Sequence, residues 1–546
     1  MKIKVSDYLI KRLAGLGITD IFGLPGDYNF NILDSVVNNP NTNWINCTNE
    51  LNAAYAADGY ARIKGYGAVI TTFGVGELSA INGIAGAYSE NVPVIKIAGV
   101  PKTACIKSNV PVHHNFSEPD YYAFERIYQN VTSTTAYLTE DNAKSEIDRV
   151  IETFVKFKKP VYIALPVDIC NHLIDDKIPE IYIKSNPDNL KAAAQKIVSL
   201  INAAKNPLII TDYLMKRFRL QKELNSFVDK YNLRITSMIM GKGLIDEDNR
   251  NFIGVNHGAL GNEEFRIIYE GSDLVLCFGT LFSDLNTLGF VVKPDERFRV
   301  DIQSNYTIID GERYENVLID ELMSTLLNSS SLKPKAQYLP VFHGYRNVEV
   351  SNNHLKVDEI FPLIQDFLDE NDTIIVETGI ISFPGSNIRL KKSSNYISQT
   401  MWGSIGWATP ASFGAAMADR SKRPILFTGE GSHQLTVQEL ANMFKFGIKP
   451  VIFVLNNSGY TIERVLSNNP DDVFNNITSW DYKKALEFFN LNEGKYFYHS
   501  VKTSKELKSA LDLTREEQKE GLVYIEMFTD KMDIPEILVR AKNCIK

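Results

Sequence analysis

The chain has 546 residues, 44% of them hydrophobic and 23% charged, with a formal net charge of −8. This length holds about three domains with ample core, and an acidic balance without a lysine or arginine stripe excludes a nucleic-acid footprint. Five scattered cysteines (Cys47, Cys105, Cys170, Cys277 and Cys544) lack metal-ligand or CxxC spacing and read as reduced thiols of a cytoplasmic protein.

At the N-terminus, Val5, Leu9, Leu13 and Leu16 mark one face of a helix, and Asp7, Lys11 and Arg12 break the run before it reaches signal-peptide length. No later stretch approaches the roughly 20 apolar residues of a membrane span. Short apolar runs bounded by Gly or Pro then alternate with helix-like stretches, the pattern of βα units. Strands are predicted at 21–23, 68–71, 92–97 and 161–164, then at 208–210, 235–238 and 274–278, and finally at 373–376, 424–427, 450–455 and 522–526. Two polar, Pro-containing segments, 168–189 and 329–353, break this rhythm and read as linkers. They give three α/β domains, 1–175, 188–335 and 354–546, each with a mainly parallel sheet flanked by helices.

Chemistry-bearing residues fall at predicted strand ends. Asp27, in Gly23-Leu24-Pro25-Gly26-Asp27-Tyr28-Asn29, suits an Asx turn closing a strand. Glu50 opens an alanine-rich helix after Thr48 and Asn49, and by itself stabilises the helix dipole. The small face of that helix admits another chain or a flat cofactor. His113 and His114 stand on a Pro-flanked loop, without carboxylates at metal-ligand spacing in sequence. The most informative run is Gly429-Glu430-Gly431-Ser432, followed by a predicted helix over 434–440 and by Asn456-Asn457-Ser458-Gly459 after the next strand. Glu430, the Asn457 amide and the Gly459 carbonyl supply oxygens for a hard cation such as Mg²⁺, while the amides of Gly431 and Ser432 suit phosphate.

This array resembles the thiamine-diphosphate motif, and the flanking Leu435-Thr436-Val437-Gln438-Glu439 and Tyr460-Thr461-Ile462-Glu463 resemble the 2-oxo-acid decarboxylase branch, which includes pyruvate, indolepyruvate and branched-chain oxo-acid decarboxylases. The resemblance implies that Glu50 hydrogen-bonds the cofactor pyrimidine, that Gly403 accepts from its amino group and that Ile405 wedges it into a bent form. Thr378, Ile380, Ser404, Gly431, Ser432, Asn457, Gly459, Tyr460, Thr461 and Ile462 complete the cradle. Asp27, His113, His114 and Glu463 would handle protons, with Asp27 and Glu463 as two carboxylates at one reacting centre. The branch decarboxylates a 2-oxo acid to an aldehyde and CO₂, and it builds each site from two subunits, which implies a homodimer or a dimer of dimers.

Two departures stand out. Glu430 occupies a position where the family has Asp, so the metal must shift or the side chain must fold back; weaker cofactor loading is expected, tightened by Glu430→Asp. Ile380 stands where the family often has Thr or Asp. Matching positions give Leu285, Ser382, Ile462, Leu466, Ala541 and Ile545 as the substrate pocket, and the small Ser382 and Ala541 favour a bulky aromatic or branched 2-oxo acid, with pyruvate as the alternative. A carboligase resembling acetolactate synthase, or a cofactor-binding scaffold without turnover, are the other readings.

Overall fold

A computed structural model describes residues 1–291, 298–336, 338–341, 343–490 and 494–545, with 259 and 542–545 described by backbone alone. Three sheets organise the chain. The first is six-stranded and parallel, ordered Asn43–Asn46, Asp20–Gly23, Gly67–Thr72, Val94–Val100, Val161–Pro166, Thr135–Tyr137. The third is also six-stranded and parallel, ordered Asn395–Ser398, Asp372–Val376, Arg423–Gly429, Val451–Asn456, Leu522–Phe528, Tyr496–Val501. Numbered along the chain, both run 2-1-3-4-6-5. The first and last thirds therefore share one winding, although no sequence repeat is visible between them. Their central strands are buried throughout, which is why they read as continuous apolar runs.

The middle sheet has seven strands, Phe252–Val255, Arg234–Ser237, Pro207–Thr211, Leu274–Phe278 and Arg299–Ile302 in parallel, extended antiparallel by Tyr306–Ile309 and Glu312–Glu315. All the predicted strands are present. Those not foreseen are short, polar or at edges; Phe252–Val255 is buried throughout but only four residues long.

Three expectations change. Segment 168–189 is not simply a linker: Leu173–Asp175 pairs antiparallel with Lys2–Lys4, and helix Pro187–Ala203 begins within it. The helix after Gly429 starts at Glu430, not at Gln434, and changes to a 3₁₀ turn at Val437–Glu439 before helix Leu440–Lys445. Finally, the small face of helix Glu50–Lys64 is covered by helix Ala408–Ala418 of the same chain. A Cβ on Gly414 would stand 1.8 Å from the Ala56 carbonyl oxygen, and one on Gly59 would stand 2.1 Å from that of Ala411. Only glycine permits so close an approach, so this contact fixes the first sheet against the third. A polar clamp closes it: Arg62 bridges Asp58 at 2.6 Å and Glu90 at 2.8 Å, and Trp407 Nε1 donates to Asp58 at 2.9 Å. Thr48 and Asn52 likewise donate to Glu439 across the same boundary, at 2.8 and 2.9 Å.

Among the described residues, no helix is long and apolar enough to cross a membrane. Cys47, Cys105, Cys170 and Cys277 are free thiols.

Candidate cofactor and proton-transfer site

In open parallel sheets, ligands bind beyond the carboxyl ends of strands where the winding reverses. In the third sheet this point lies between Asp372–Val376 and Arg423–Gly429, and a cavity opens there. Its lining comprises residues 378–381, Ile405, 429–432, Leu455, Asn457 and 459–462. The structure thus gathers Thr378, Ile380, Ile405, Glu430, Gly431, Ser432, Asn457, Gly459, Tyr460, Thr461 and Ile462, from four loops and the helix starts that follow them, around one space. Gly403 neighbours Thr378: a Cβ on it would stand 3.8 Å from the Thr378 methyl. Ser404 turns to the first domain, where its hydroxyl meets Tyr55 Oη at 2.8 Å.

Glu430 sits at 3% exposure and has folded back: Oε1 accepts from the amides of Asn457 at 3.1 Å and Gly459 at 2.9 Å. Both bonds fall on one oxygen. Burial pushes its carboxyl up to about 7, against the pull of these amides. A buried carboxylate held by backbone amides at the wall of this cavity is a suitable partner for a cation. The space fits a diphosphate as well. A Cβ on Gly429 or Gly379 would meet nothing within 4 Å, whereas one on Gly431 would stand 2.5 Å from the Tyr460 ring, so glycine keeps that wall thin. Residues that could hold the metal are Glu430, Asn457 and the Gly459 carbonyl.

Sequence reasoning gave no role to two groups nearby. Glu377, fully buried, accepts from the amides of Thr378, Gly406 and Ala408 at 3.0, 3.2 and 3.0 Å, and burial raises it to about 7. It joins two cradle loops to the helix that packs on the first domain. His433 is buried, lowered to about 3 by desolvation, with Thr409 at Nδ1 and no hydrogen-bond partner at Nε2 among the described residues. Its only sequence signal was its place after Gly-Glu-Gly-Ser.

A second cluster forms at the strand ends of the first sheet. His113 Nε2 lies 2.9 Å from Asp27 Oδ2, with these side chains 57% and 50% exposed, and ligand atoms of Asp27, His113 and His114 all fall within 4.8 Å of one another. Tyr28 stacks on His113 at 4.8 Å and its hydroxyl reaches Nδ1 at 3.2 Å. The loop is not closed by an Asx turn of Asp27: the Asn29 side chain reaches back to accept from Gly26 N at 3.0 Å, and Asp27 faces His113 instead. Glu50 begins its helix as expected, beside the Asn49 cap. Behind it lies an unforeseen buried pair. Lys96 donates to Thr71 at 2.7 Å, and Glu77 accepts from Gly74 N at 3.0 Å and Tyr162 at 2.7 Å. Burial lowers Lys96 to about 8 and raises Glu77. A lysine inside Val94-Ile95-Lys96-Ile97 was the signal for it.

Glu463 stands exposed in the short helix Thr461–Leu466 beside the cradle. Among the described residues, no hydrogen bond or ion pair joins it to Asp27, His113 or His114, so within one chain the two carboxylates belong to separate clusters. The pocket residues are also dispersed. Leu466 is 71% exposed and Leu285 36%. The Ser382 hydroxyl is turned onto the Gly379 carbonyl at 2.7 Å, and Ala541 is packed with Ile239, Val255, Leu260 and Leu288. Its small size is therefore taken up by protein, not offered to a ligand. The Ile545 side chain lies outside the described residues.

Residues 3–124 match the model of the thiamine pyrophosphate enzyme N-terminal TPP-binding domain, 194–317 the central domain and 379–527 the C-terminal TPP-binding domain. The chain is 37% identical to pyruvate decarboxylase isozyme 3 of Saccharomyces cerevisiae, covering 99% of this chain and 98% of that one. It is 37% identical to pyruvate decarboxylases of Kluyveromyces marxianus, covering 99% and 97%, and of Hanseniaspora uvarum, covering 99% and 98%.

Proposed function

The chain belongs to the thiamine-diphosphate-dependent 2-oxo-acid decarboxylases, and on that premise we propose that its substrate is pyruvate, released as acetaldehyde and carbon dioxide. The observation that carries this choice is end-to-end similarity to three enzymes named pyruvate decarboxylase. It is supported by the packing of Ala541 and the inward turn of Ser382, which remove the two positions that favoured a bulky side chain.

When bound, thiamine diphosphate supplies a carbon nucleophile and an electron sink for loss of the carboxylate. Around it the chain has four tasks. Glu430, Asn457 and the Gly459 carbonyl hold Mg²⁺, and Gly431 and Ser432 receive the diphosphate. Thr378, Ile380, Gly403, Ser404, Ile405, Tyr460, Thr461 and Ile462 shape the cradle. Glu50 engages the pyrimidine and Asp27, His113, His114 and Glu463 carry protons to and from substrate. Leu285, Ile462 and Leu466 border the substrate. Asp27 and His113 are exposed and His114 is half-buried at the edge of the chain, and this supports a homodimer or dimer of dimers, placed in the cytoplasm on this reading, in which they meet the cradle of another copy.

A panel of 2-oxo acids assayed for aldehyde with thiamine diphosphate and Mg²⁺ tests the substrate. Pyruvate is expected to exceed 2-oxoisovalerate, phenylpyruvate and indolepyruvate in kcat/KM by at least about 10-fold, the lower end of what pocket size discriminates. A higher value for any of the three would overturn the assignment.

A further inference from the structure

The proton-handling cluster has a second chemical property. Asp27, His113 and His114 present two imidazoles and one carboxylate whose ligand atoms lie within 4.8 Å of one another, the nearest pair at 2.9 Å. Zinc bonds of about 2.0–2.2 Å in a tetrahedron set ligand atoms roughly 3.4 Å apart. Half-exposed side chains on loops can close that difference without moving the sheet. Tyr28 Oη at His113 Nδ1 fixes the ring and leaves Nε2 to a metal, the outer hydrogen bond that zinc-bound histidines use. His114 is held in a left-handed conformation, φ 68°, and its carbonyl oxygen would stand 2.0 Å from a Cβ on Gly74, so the backbone carrying both histidines is seated.

We propose that Asp27, His113 and His114 bind one divalent transition metal ion, zinc above all, at a site separate from the Mg²⁺ of the diphosphate cradle. Two imidazoles and a carboxylate with a fourth position open to water is a zinc-type set. Magnesium, which seeks near-octahedral oxygen ligands, does not compete there. Bound zinc occupies the lone pairs that carry protons and blocks turnover while leaving the cofactor in place. This consequence, unlike the site itself, rests on the proton-handling role given above.

Full-length protein loaded with thiamine diphosphate and millimolar Mg²⁺ is equilibrated with zinc chloride, gel-filtered, and its metal counted. One zinc per chain is expected in the wild type and in C105S, a control because Cys105 lies near Tyr28; none is expected in D27N or H114N, where asparagine keeps the positive φ at 114. Cobalt substituted into the wild type should give the visible absorption of a tetrahedral site, a measurement that needs no variant. Zinc retained by D27N and H114N, lost from C105S, or displaced by Mg²⁺, or a cobalt spectrum of octahedral type, would overturn the site. On holoenzyme, zinc should stop aldehyde formation and a chelator should restore it. Zinc bound at the site with full turnover would separate the metal site from the proton-handling reading, and zinc bound by a protein without decarboxylase activity would sink that reading alone.

Discussion

The first and third domains wind six parallel strands in the same order, yet they treat the carboxyl ends of those strands in opposite ways. In the third domain the crevice between its first and third strands is open, and Gly379 and Gly429 border empty space. In the first domain the corresponding crevice is filled by the chain itself: the His114 carbonyl packs against Gly74, and Gly26 packs against Thr72. One copy of the winding is a receptacle; the other is a plug that presents Asp27, His113 and His114 outward. The turns after the third strands make the contrast chemical. Each carries a buried acid, Glu77 in one and Glu430 in the other. Glu77 feels the charge of buried Lys96 on the next strand, whereas Glu430 accepts from the backbone amides of Asn457 and Gly459 and is the group proposed above to face Mg²⁺. A fold used twice can thus divide its labour by what fills the switch point.

The strongest way to break this comparison is to close the receptacle. G431A drives a methyl into the Tyr460 ring, 2.5 Å from the Cβ position, and should weaken thiamine diphosphate binding at least ~100-fold, about 3 kcal/mol, by calorimetry. H114N should leave that affinity within a few-fold and instead lower kcat by roughly 10²–10⁴, the usual range for a lost proton-transfer group. If receptacle and plug come from different copies, chains of the two inactive variants refolded together should regain activity. Random pairing restores about a quarter of the sites, since half the dimers are mixed and each holds one intact site. No recovery from a mixture shown to exchange subunits would mean that each chain completes its own site.

The buried Lys96 and Glu77, coupled through their charges, sharpen the contrast from the other side. K96M leaves Glu77 uncompensated and should cost about 3–5 kcal/mol in urea unfolding, and adding E77Q should recover most of it, because Gln can still accept from Gly74 and meet Tyr162. A cost under about 1 kcal/mol for K96M would remove Lys96 as the counter-ion. The pH dependence has a definite sign. Burial lowers Lys96 from 10.5 to about 8, so between these values the folded chain holds fewer protons than the unfolded one. The contribution of this group to stability therefore rises with pH across that window and is absent from K96M/E77Q.

How far the sequence reveals this design depends on the range of the interaction. Buried parallel strands such as Leu274–Phe278 and Val451–Asn456 are legible because both faces are apolar. The edge strand Asn43–Asn46 and the hairpin Tyr306–Glu315 are not, because their exposed faces are polar. Of the residues that gather around the third-sheet cavity, those after the third and fourth strands are legible because a cation and a phosphate require particular atoms at successive strand ends, and Thr378, Ile380 and Ile405 only through the family resemblance. What filled the small face of helix Glu50–Lys64 could not be read, since alanine and glycine admit a cofactor, a partner or, as found, the chain's own helix. The outward turn of Asp27 escaped for a related reason: Asn29, two residues on, can also tie the loop, and its side chain does so by reaching back to Gly26 N.

The smallest effect is also the most diagnostic for the receptacle. Shortening Glu430 by one methylene was expected from sequence alone to tighten cofactor loading, as though the longer side chain held the metal away. In the structure the extra reach is spent on the loop, with Oε1 spanning to the amides of Asn457 and Gly459 while the strand holds the backbone in register with Leu455. Aspartate loses at least one of these bonds, each worth about 1.5–3 kcal/mol to a charged acceptor, but regains part of that as its carboxylate is less deeply desolvated. The balance points to E430D weakening apparent Mg²⁺ and thiamine diphosphate affinity by up to about 10-fold, roughly 1.4 kcal/mol. Titration at fixed Mg²⁺ decides it: tighter binding by E430D would mean that the amide contacts of Glu430 belong to the empty cradle and are surrendered when the metal enters.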